Sequence, residues 1–336
     1  MYIGPLSLLV RVSISFEGCV ITMSAFAEPS EYRTCLLNLS EPIAKRTHAA
    51  FYLRTIATLE AMTAIADALQ QRSDSSLMRH ELAYILGQMG FKECCPVLIS
   101  ILSDESEDVL VRHESAEALG NLGSAEVLEV LEKYQDHKAP EIAETCQIAV
   151  ELIHYKLSEE GRNDKLNKAI YESVDPAPAF GNNEETRSIT ELERDMSNKE
   201  LSLFKRYRAM FSLRNMDSDE SALALCKGLR DDSALFRHEV AYVLGQMMRE
   251  VTVPSLITCL DTMTEHRMVR HEAAEALGAI GGTAVEEVLA KYRADEEPVV
   301  KESCEVALDT VTYWQDVFKA DDGKEEVRDA PTATAK

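Results

Sequence analysis

Two stretches decide the fold: Leu77-Met-Arg-His-Glu-Leu-Ala-Tyr-Ile-Leu-Gly-Gln-Met89 and Leu235-Phe-Arg-His-Glu-Val-Ala-Tyr-Val-Leu-Gly-Gln-Met247. They align without a gap. So do the segments that follow, Val111-Arg-His-Glu-Ser-Ala-Glu-Ala-Leu-Gly120 and Val269-Arg-His-Glu-Ala-Ala-Glu-Ala-Leu-Gly278. The tripeptide Arg-His-Glu therefore occurs four times, its histidines 33 residues apart within each pair and 158 apart between pairs. That arithmetic requires a duplicated array of repeats. A period near 33 residues, two helical segments per unit and no strand-like alternation describe an all-α solenoid, in which each repeat buries its apolar face on its neighbours.

Outward from these cores, Lys45-Arg-Thr-His-Ala-Ala-Phe-Tyr-Leu-Arg54 answers Lys205-Arg-Tyr-Arg-Ala-Met-Phe-Ser-Leu-Arg214, and residues 141–153 answer 299–311. The count becomes four helical hairpins per half and eight in all, in two symmetric halves. In each His-Glu unit the Ala-x-x-Leu-Gly pattern supplies a small residue for close packing, a core leucine and a glycine near the helix end, as in Ala83, Leu86 and Gly87. The period breaks near residue 158, where charges gather with Pro176, Pro178 and Gly181. The expected organisation is a disordered N-terminal extension over 1–30, a four-repeat half over 31–157 and a linker over 158–198. A second four-repeat half then covers 199–318, and a disordered tail 319–336. The first 23 residues are apolar but interrupted by Arg11 and Glu17, and Ala25-Phe26-Ala27 only faintly resembles a signal cleavage site. They read as a dispensable extension, with Met23 as an alternative start.

The chain has 336 residues, of which 46% are apolar, so a sizeable core is available. The net charge of −23 argues against nucleic acid as a partner, because phosphate-backbone binding needs a basic stripe to release counterions. A cationic partner fits better. No segment is read as spanning a membrane. The eight cysteines include no C-x-x-C, and a chain of this length needs no disulfide staples, so they read as reduced thiols of a cytoplasmic protein. Cys146 and Cys304 differ by 158 and are expected to be equivalent packing positions.

The repeated histidines and glutamates point to a metal centre. Neighbours i and i+1 on a helix project about 100° apart, so His and Glu grip one object only where adjacent helices converge. Stacked equivalent helices lie roughly 8–10 Å apart, a gap that two inward-pointing imidazoles can bridge through an ion. If the halves face each other, His80, Glu81, His113, Glu114, His238, Glu239, His271 and Glu272 meet at one place. Two histidines and one carboxylate per metal suit non-haem Fe(II) and dioxygen, and ligand type alone also allows zinc or manganese. The zincin motif is absent, since the residues four after His80 and His238 are Tyr84 and Tyr242, and those four after His113 and His271 are Glu117 and Glu275. These four could hydrogen-bond a ligating imidazole or line the cavity. A structural polar ladder should recur in every repeat, whereas His-Glu is missing from the four outer ones. The preceding Arg79, Arg112, Arg237 and Arg270 read as surface or inter-repeat ion pairs, and His48, His137, His154 and His266 carry no site.

On both His-Glu blocks, Leu-Gly-Gln-Met, Ala-Glu-Ala-Leu-Gly and Ser173-Val-Asp-Pro-Ala-Pro178, the chain resembles the deoxyhypusine hydroxylases over about residues 31–318. The resemblance implies eight HEAT-like hairpins and two iron ions (Fe2+) held between the halves. It implies a monooxygenase that hydroxylates the deoxyhypusine residue of translation initiation factor five-A to hypusine, using O2 and an external reductant. It also implies that His80, His113 and Glu114 hold one iron and that His238, His271 and Glu272 hold the other. Glu81 and Glu239 are then candidates for binding the substrate's amines or for outer ligation. The competing expectations are a non-catalytic HEAT-repeat adaptor that binds proteins on its concave face and a phycobilin-lyase-like protein. Neither needs paired His-Glu in four repeats.

Overall fold

The structure, a computed structural model, describes residues 29–123, 125–163, 171–181 and 187–325. Most of the extension expected over 1–30, part of the linker and residues 326–336 of the expected tail lie outside the described residues. Seventeen α-helices occur among the described residues, and sixteen of them pair into eight hairpins. In the N-terminal half these are α1 (Pro29–Leu37) with α2 (Ile43–Ile56), α3 (Leu59–Leu69) with α4 (Ser76–Met89), α5 (Cys95–Ser103) with α6 (Val109–Leu122), and α7 (Ala125–Tyr134) with α8 (Pro140–Leu157). After the short α9 (Glu159–Asn163) come α10 (Ile189–Ser197) with α11 (Leu203–Asn215), and α12 (Asp219–Cys226) with α13 (Ala234–Met247). The last pairs are α14 (Val253–Asp261) with α15 (Arg267–Ile280), and α16 (Thr283–Tyr292) with α17 (Pro298–Glu325). The array is an α-solenoid.

Two details differ from the sequence reading. Helix α10 falls within the stretch expected as linker. A Ser188/Glu191 capping box starts it, and Leu192 and Met196 bury its inner face, so it is the outer helix of the fifth hairpin. At the other end α17 continues to Glu325, past the expected start of the tail, because no proline or capping motif stops it at residue 319.

The glycine of the Ala-x-x-Leu-Gly pattern works inside the helix rather than as its cap. A Cβ on Gly87 would lie 2.8 Å from Ala118 Cα, and one on Gly278 would lie 2.6 Å from Ala307 Cβ, so these glycines let successive inner helices touch. The cap of α4 is Gly90, in the left-handed region at φ 75°.

The arginines before each histidine are the structural ladder. Arg79 Nε donates to Leu69 O at 2.9 Å, and its two terminal nitrogens donate to the Glu107 carboxylate at 2.6 Å each. The same bond to the carbonyl ten residues back is made by Arg112 to Leu102 and Arg270 to Leu260. In the outer repeats Arg46 makes it to Leu36 and Arg206 to Met196. Arg79, Arg112 and Arg270 are buried, which corrects the surface part of the expectation. Each stitches the hairpin turn before its helix to a neighbouring acid. The following residue, by contrast, is histidine in the four inner repeats but Thr47 and Tyr207 in the two outer repeats that share the arginine.

The halves close on each other at both ends. Helix α17 packs on α2 and α4, and α8 packs on α11 and α13. Arg267 pairs with Asp108 across the interface, His266 Nε2 lies 3.2 Å from Glu141, and Ser233 Oγ donates to Glu144 at 2.6 Å. This closure turns α4, α6, α13 and α15 towards a common centre.

A candidate dinuclear metal centre

Each site histidine is the fifth residue of its helix, in α4, α6, α13 and α15. The N-caps set that register: Ser75, Asp108, Ser233 and His266 each accept a backbone N–H from the first turn. One turn later the imidazole points to where the four helices converge. All four rings are 0–5% exposed. Five of the ring-to-ring centroid separations lie between 5.2 and 6.0 Å, four of them at 5.5 Å or less. Metal–nitrogen bonds of about 2 Å at angles of 90–120° would place ring centroids roughly 4.5–5.5 Å apart, so the spacing suits rings that share ions.

All eight residues of the Arg-His-Glu copies that could ligate come together here. Donor atoms of His80, His113 and Glu114 lie within 4.8 Å of one another, as do those of His271, Glu272 and Glu275, and those of His80, His238 and His271. His238 Nε2 stands 3.2 Å from Glu272 Oε2, and His80 Nε2 stands 3.2 Å from Glu114 Oε2. Both contacts are off the bonding axis. His80 Nδ1 alone has a good hydrogen bond, to Glu81 at 3.1 Å. The remaining seven ring nitrogens are buried and unbonded. Burying that many polar atoms unsatisfied would cost about 1–3 kcal/mol each, which cations at their centre would offset.

The protonation pattern follows from burial and crowding. Burial works against a charged His80, but the Glu114 and Glu81 carboxylates outweigh it and hold its pKa well above the usual value. Burial, with the His80 charge second, pushes His113, His238 and His271 well below theirs, which keeps them in the neutral form that ligates. Burial and the nearby Glu81 raise Glu272, and burial with the Glu114 and Asp175 charges pushes Glu239 up to about 8. Carboxylates crowded in a dry cavity hold protons until a cation arrives.

A cleft of about 570 Å3, open mouth included, leads to this cluster. Glu81, Glu239, Glu117 and Glu275 line it, together with Phe51 and the paired Tyr84 and Tyr242, whose hydroxyls meet across the two halves at 2.9 Å. Val174, Asp175 and Pro176 form another part of the wall. The Gln88 side chain holds this segment by bonding Val174 N and O at 2.8 and 2.9 Å, and Arg214 binds Asp175 through both terminal nitrogens. Sequence reasoning treated the segment as linker. Its only signal was the non-repeating Ser-Val-Asp-Pro-Ala-Pro, which has no partner in the other half. His48, His137 and His266 stand apart from the cluster, against Asp309, Glu105 and Glu141.

Residues 62–151 and 222–309 match the HEAT repeats family. Deoxyhypusine hydroxylase of Danio rerio is 45% identical over 279 residues, covering 83% of this chain and 90% of that protein. Deoxyhypusine hydroxylase of Homo sapiens is 44% identical over 298 residues, covering 88% and 96%. The chain belongs to the deoxyhypusine hydroxylase family. The solved structure of human deoxyhypusine hydroxylase in complex with glycerol superposes with a TM-score of 0.79, covering 85% of this chain and 96% of the human one. In this member of the family the unbonded imidazoles therefore sit within a fold shared with named hydroxylases.

Proposed function

We propose that this chain is a di-iron monooxygenase that hydroxylates the deoxyhypusine side chain of translation initiation factor five-A. The observation that carries the proposal is the set of seven buried, unbonded ring nitrogens gathered from four equivalent helices. In this reading His80, His113 and Glu114 hold one iron, and His238, His271 and Glu272 hold the other. Two bound ferrous ions would supply the activation of O2, with electrons from an external reductant. The chain's own residues do the rest. Three imidazoles kept neutral by burial are ready to ligate without first losing a proton.

Glu81 and Glu239 lie in the cleft wall and are assigned to the substrate's ammonium groups. An incoming ammonium beside Glu239 would lower its raised pKa, so the carboxylate ionises as the substrate docks. Burial of the cluster keeps bulk water from the reacting carbon. The net charge of −23 suits a partner that presents a basic loop. The seven described cysteines are all free, as suits the reducing cytoplasm.

The test is mass spectrometry of the deoxyhypusine-bearing factor after incubation with the protein, Fe(II), a reductant and O2. The expected result is a gain of one oxygen on that residue. An unmodified factor, with iron bound to the protein, would refute the proposal.

A further inference from the structure

The duplication repeats one more carboxylate that the proposed ligand set leaves unused. Glu117 and Glu275 each stand one turn beyond a site histidine, His113 and His271, and their surroundings have diverged. Glu275 is buried, accepts a hydrogen bond from Ser303 Oγ of α17 at 3.0 Å, and turns Oε1 to within 3.6 Å of His271 Nδ1. At the equivalent place in the N-terminal half the hydroxyl is that of Thr145 on α8, and it donates instead to the backbone carbonyl of Glu141 at 2.7 Å. Glu117, without that anchor, is only half-buried, although both carboxylates line the cleft. Among the described residues no carboxylate is hydrogen-bonded to either nitrogen of His113, and both are buried.

We infer that Glu275 is a positioning residue for His271, anchored by Ser303, and that the two metal positions are consequently inequivalent, the C-terminal one supported by Glu275 behind His271 and the N-terminal one by Glu81 behind His80, with nothing equivalent behind His113 among the described residues. The inference rests on the proposed metal centre. With a carboxylate facing Nδ1, the stable neutral tautomer carries its proton there, and Nε2, which is also buried and unbonded, is left with its lone pair free. A carboxylate behind a ligating imidazole fixes the ring's orientation and raises its basicity, and such partners are typically worth about 10–100-fold in metal affinity. His271 is fully buried, so solvent cannot stand in for a missing carboxylate. His113, the counterpart of His271, lacks this support because the hydroxyl at residue 145 has a nearer acceptor in its own helix.

The experiment is an anaerobic titration of metal-free full-length protein with Co(II), followed by its visible absorption, with far-UV circular dichroism to verify the fold. Wild type takes up two equivalents with unequal affinity. Glu275→Gln weakens one site by about 10–100-fold and shifts its absorption bands, whereas Glu117→Gln leaves both sites unchanged. Ser303→Ala, a small change behind the carboxylate, weakens the same site to a lesser degree and decides the matter should Glu275→Gln not fold. Equal effects of the two glutamine variants, or wild-type affinities in Glu275→Gln and Ser303→Ala, overturn the inference and leave the metal centre standing. Loss of a whole equivalent in Glu275→Gln, as His271→Ala would give, makes Glu275 itself a ligand and overturns the positioning role. Failure of the wild type to take up cobalt overturns the metal centre and the inference together.

Discussion

Lowering the pH from 7 to 6 should weaken metal uptake by about a hundredfold, because about two protons must leave the cluster before ions can enter. The protons that the ligating side chains carry before metal binds set that number. The Glu114 and Glu81 carboxylates overcome the burial that opposes a charge on His80 and hold its pKa well above the usual value, which favours one proton. Burial, and then the Glu81 charge, push Glu272 well above the usual carboxylate value, which favours a second proton. The other three imidazoles are not counted, because burial, with the His80 charge second, pushes them well below the usual histidine value and favours their neutral form. The sign is fixed: the ligating forms are deprotonated, so affinity rises with pH. Each displaced proton changes the binding constant about tenfold per pH unit, so two give about a hundredfold, roughly 2.7 kcal/mol. If Glu239, pushed up to about 8, ionises as well, the slope steepens further. Calorimetry of anaerobic Fe(II) binding between pH 6 and 7.5, in buffers of different ionisation heat, measures both the affinity and the protons released. Affinity that does not change with pH, or binding that releases no protons, would show that the empty cluster is not protonated as its geometry requires.

Three other outcomes are expected. Arg79→Ala leaves the buried Glu107 carboxylate without its two 2.6 Å partners and should cost about 3–5 kcal/mol by denaturant titration; a loss below about 1 kcal/mol would contradict the ladder's structural role. Gly278→Ala puts a methyl 2.6 Å from Ala307 Cβ and should lower Tm, the overpacking of about 1–3 kcal/mol exceeding the helix propensity gained; an unchanged or raised Tm would mean that the α15 and α17 backbones can part freely. His238→Ala should remove metal from its position yet keep the far-UV dichroism nearly intact, because solenoid stability is spread over many neighbour interfaces; helix loss comparable to unfolding would count against that.

Much of the site was legible because duplication amplifies weak signals. One Arg-His-Glu is uninformative, but four at spacings of 33 and 158 place the same three side chains on four equivalent helices. Periodicity also separates the roles within the tripeptide. The arginine recurs in the outer repeats as Arg46 and Arg206 and proves structural, while the histidine does not recur. Legibility failed where the repeat fails. Helix α10 was hidden in the stretch taken as linker, and the Val174 to Pro176 wall of the cleft had no second copy to compare with.

By itself, then, the sequence determined the hairpin count, the direction each histidine takes from its helix and the presence of two matching halves, since all three depend on local spacing along a helix. Tertiary structure decided whether those halves meet. The packing of α17 on α2 and of α8 on α11 brings imidazoles 158 residues apart within 6.0 Å, as with His80 and His238. The same closure joins Tyr84 to Tyr242. It also let near-identical Ala-Glu-Ala-Leu-Gly segments diverge, Glu275 accepting a bond from Ser303 while the matching Thr145 hydroxyl turns to the Glu141 carbonyl. Local sequence cannot encode such differences, because they depend on which side chain a neighbouring helix presents across the gap.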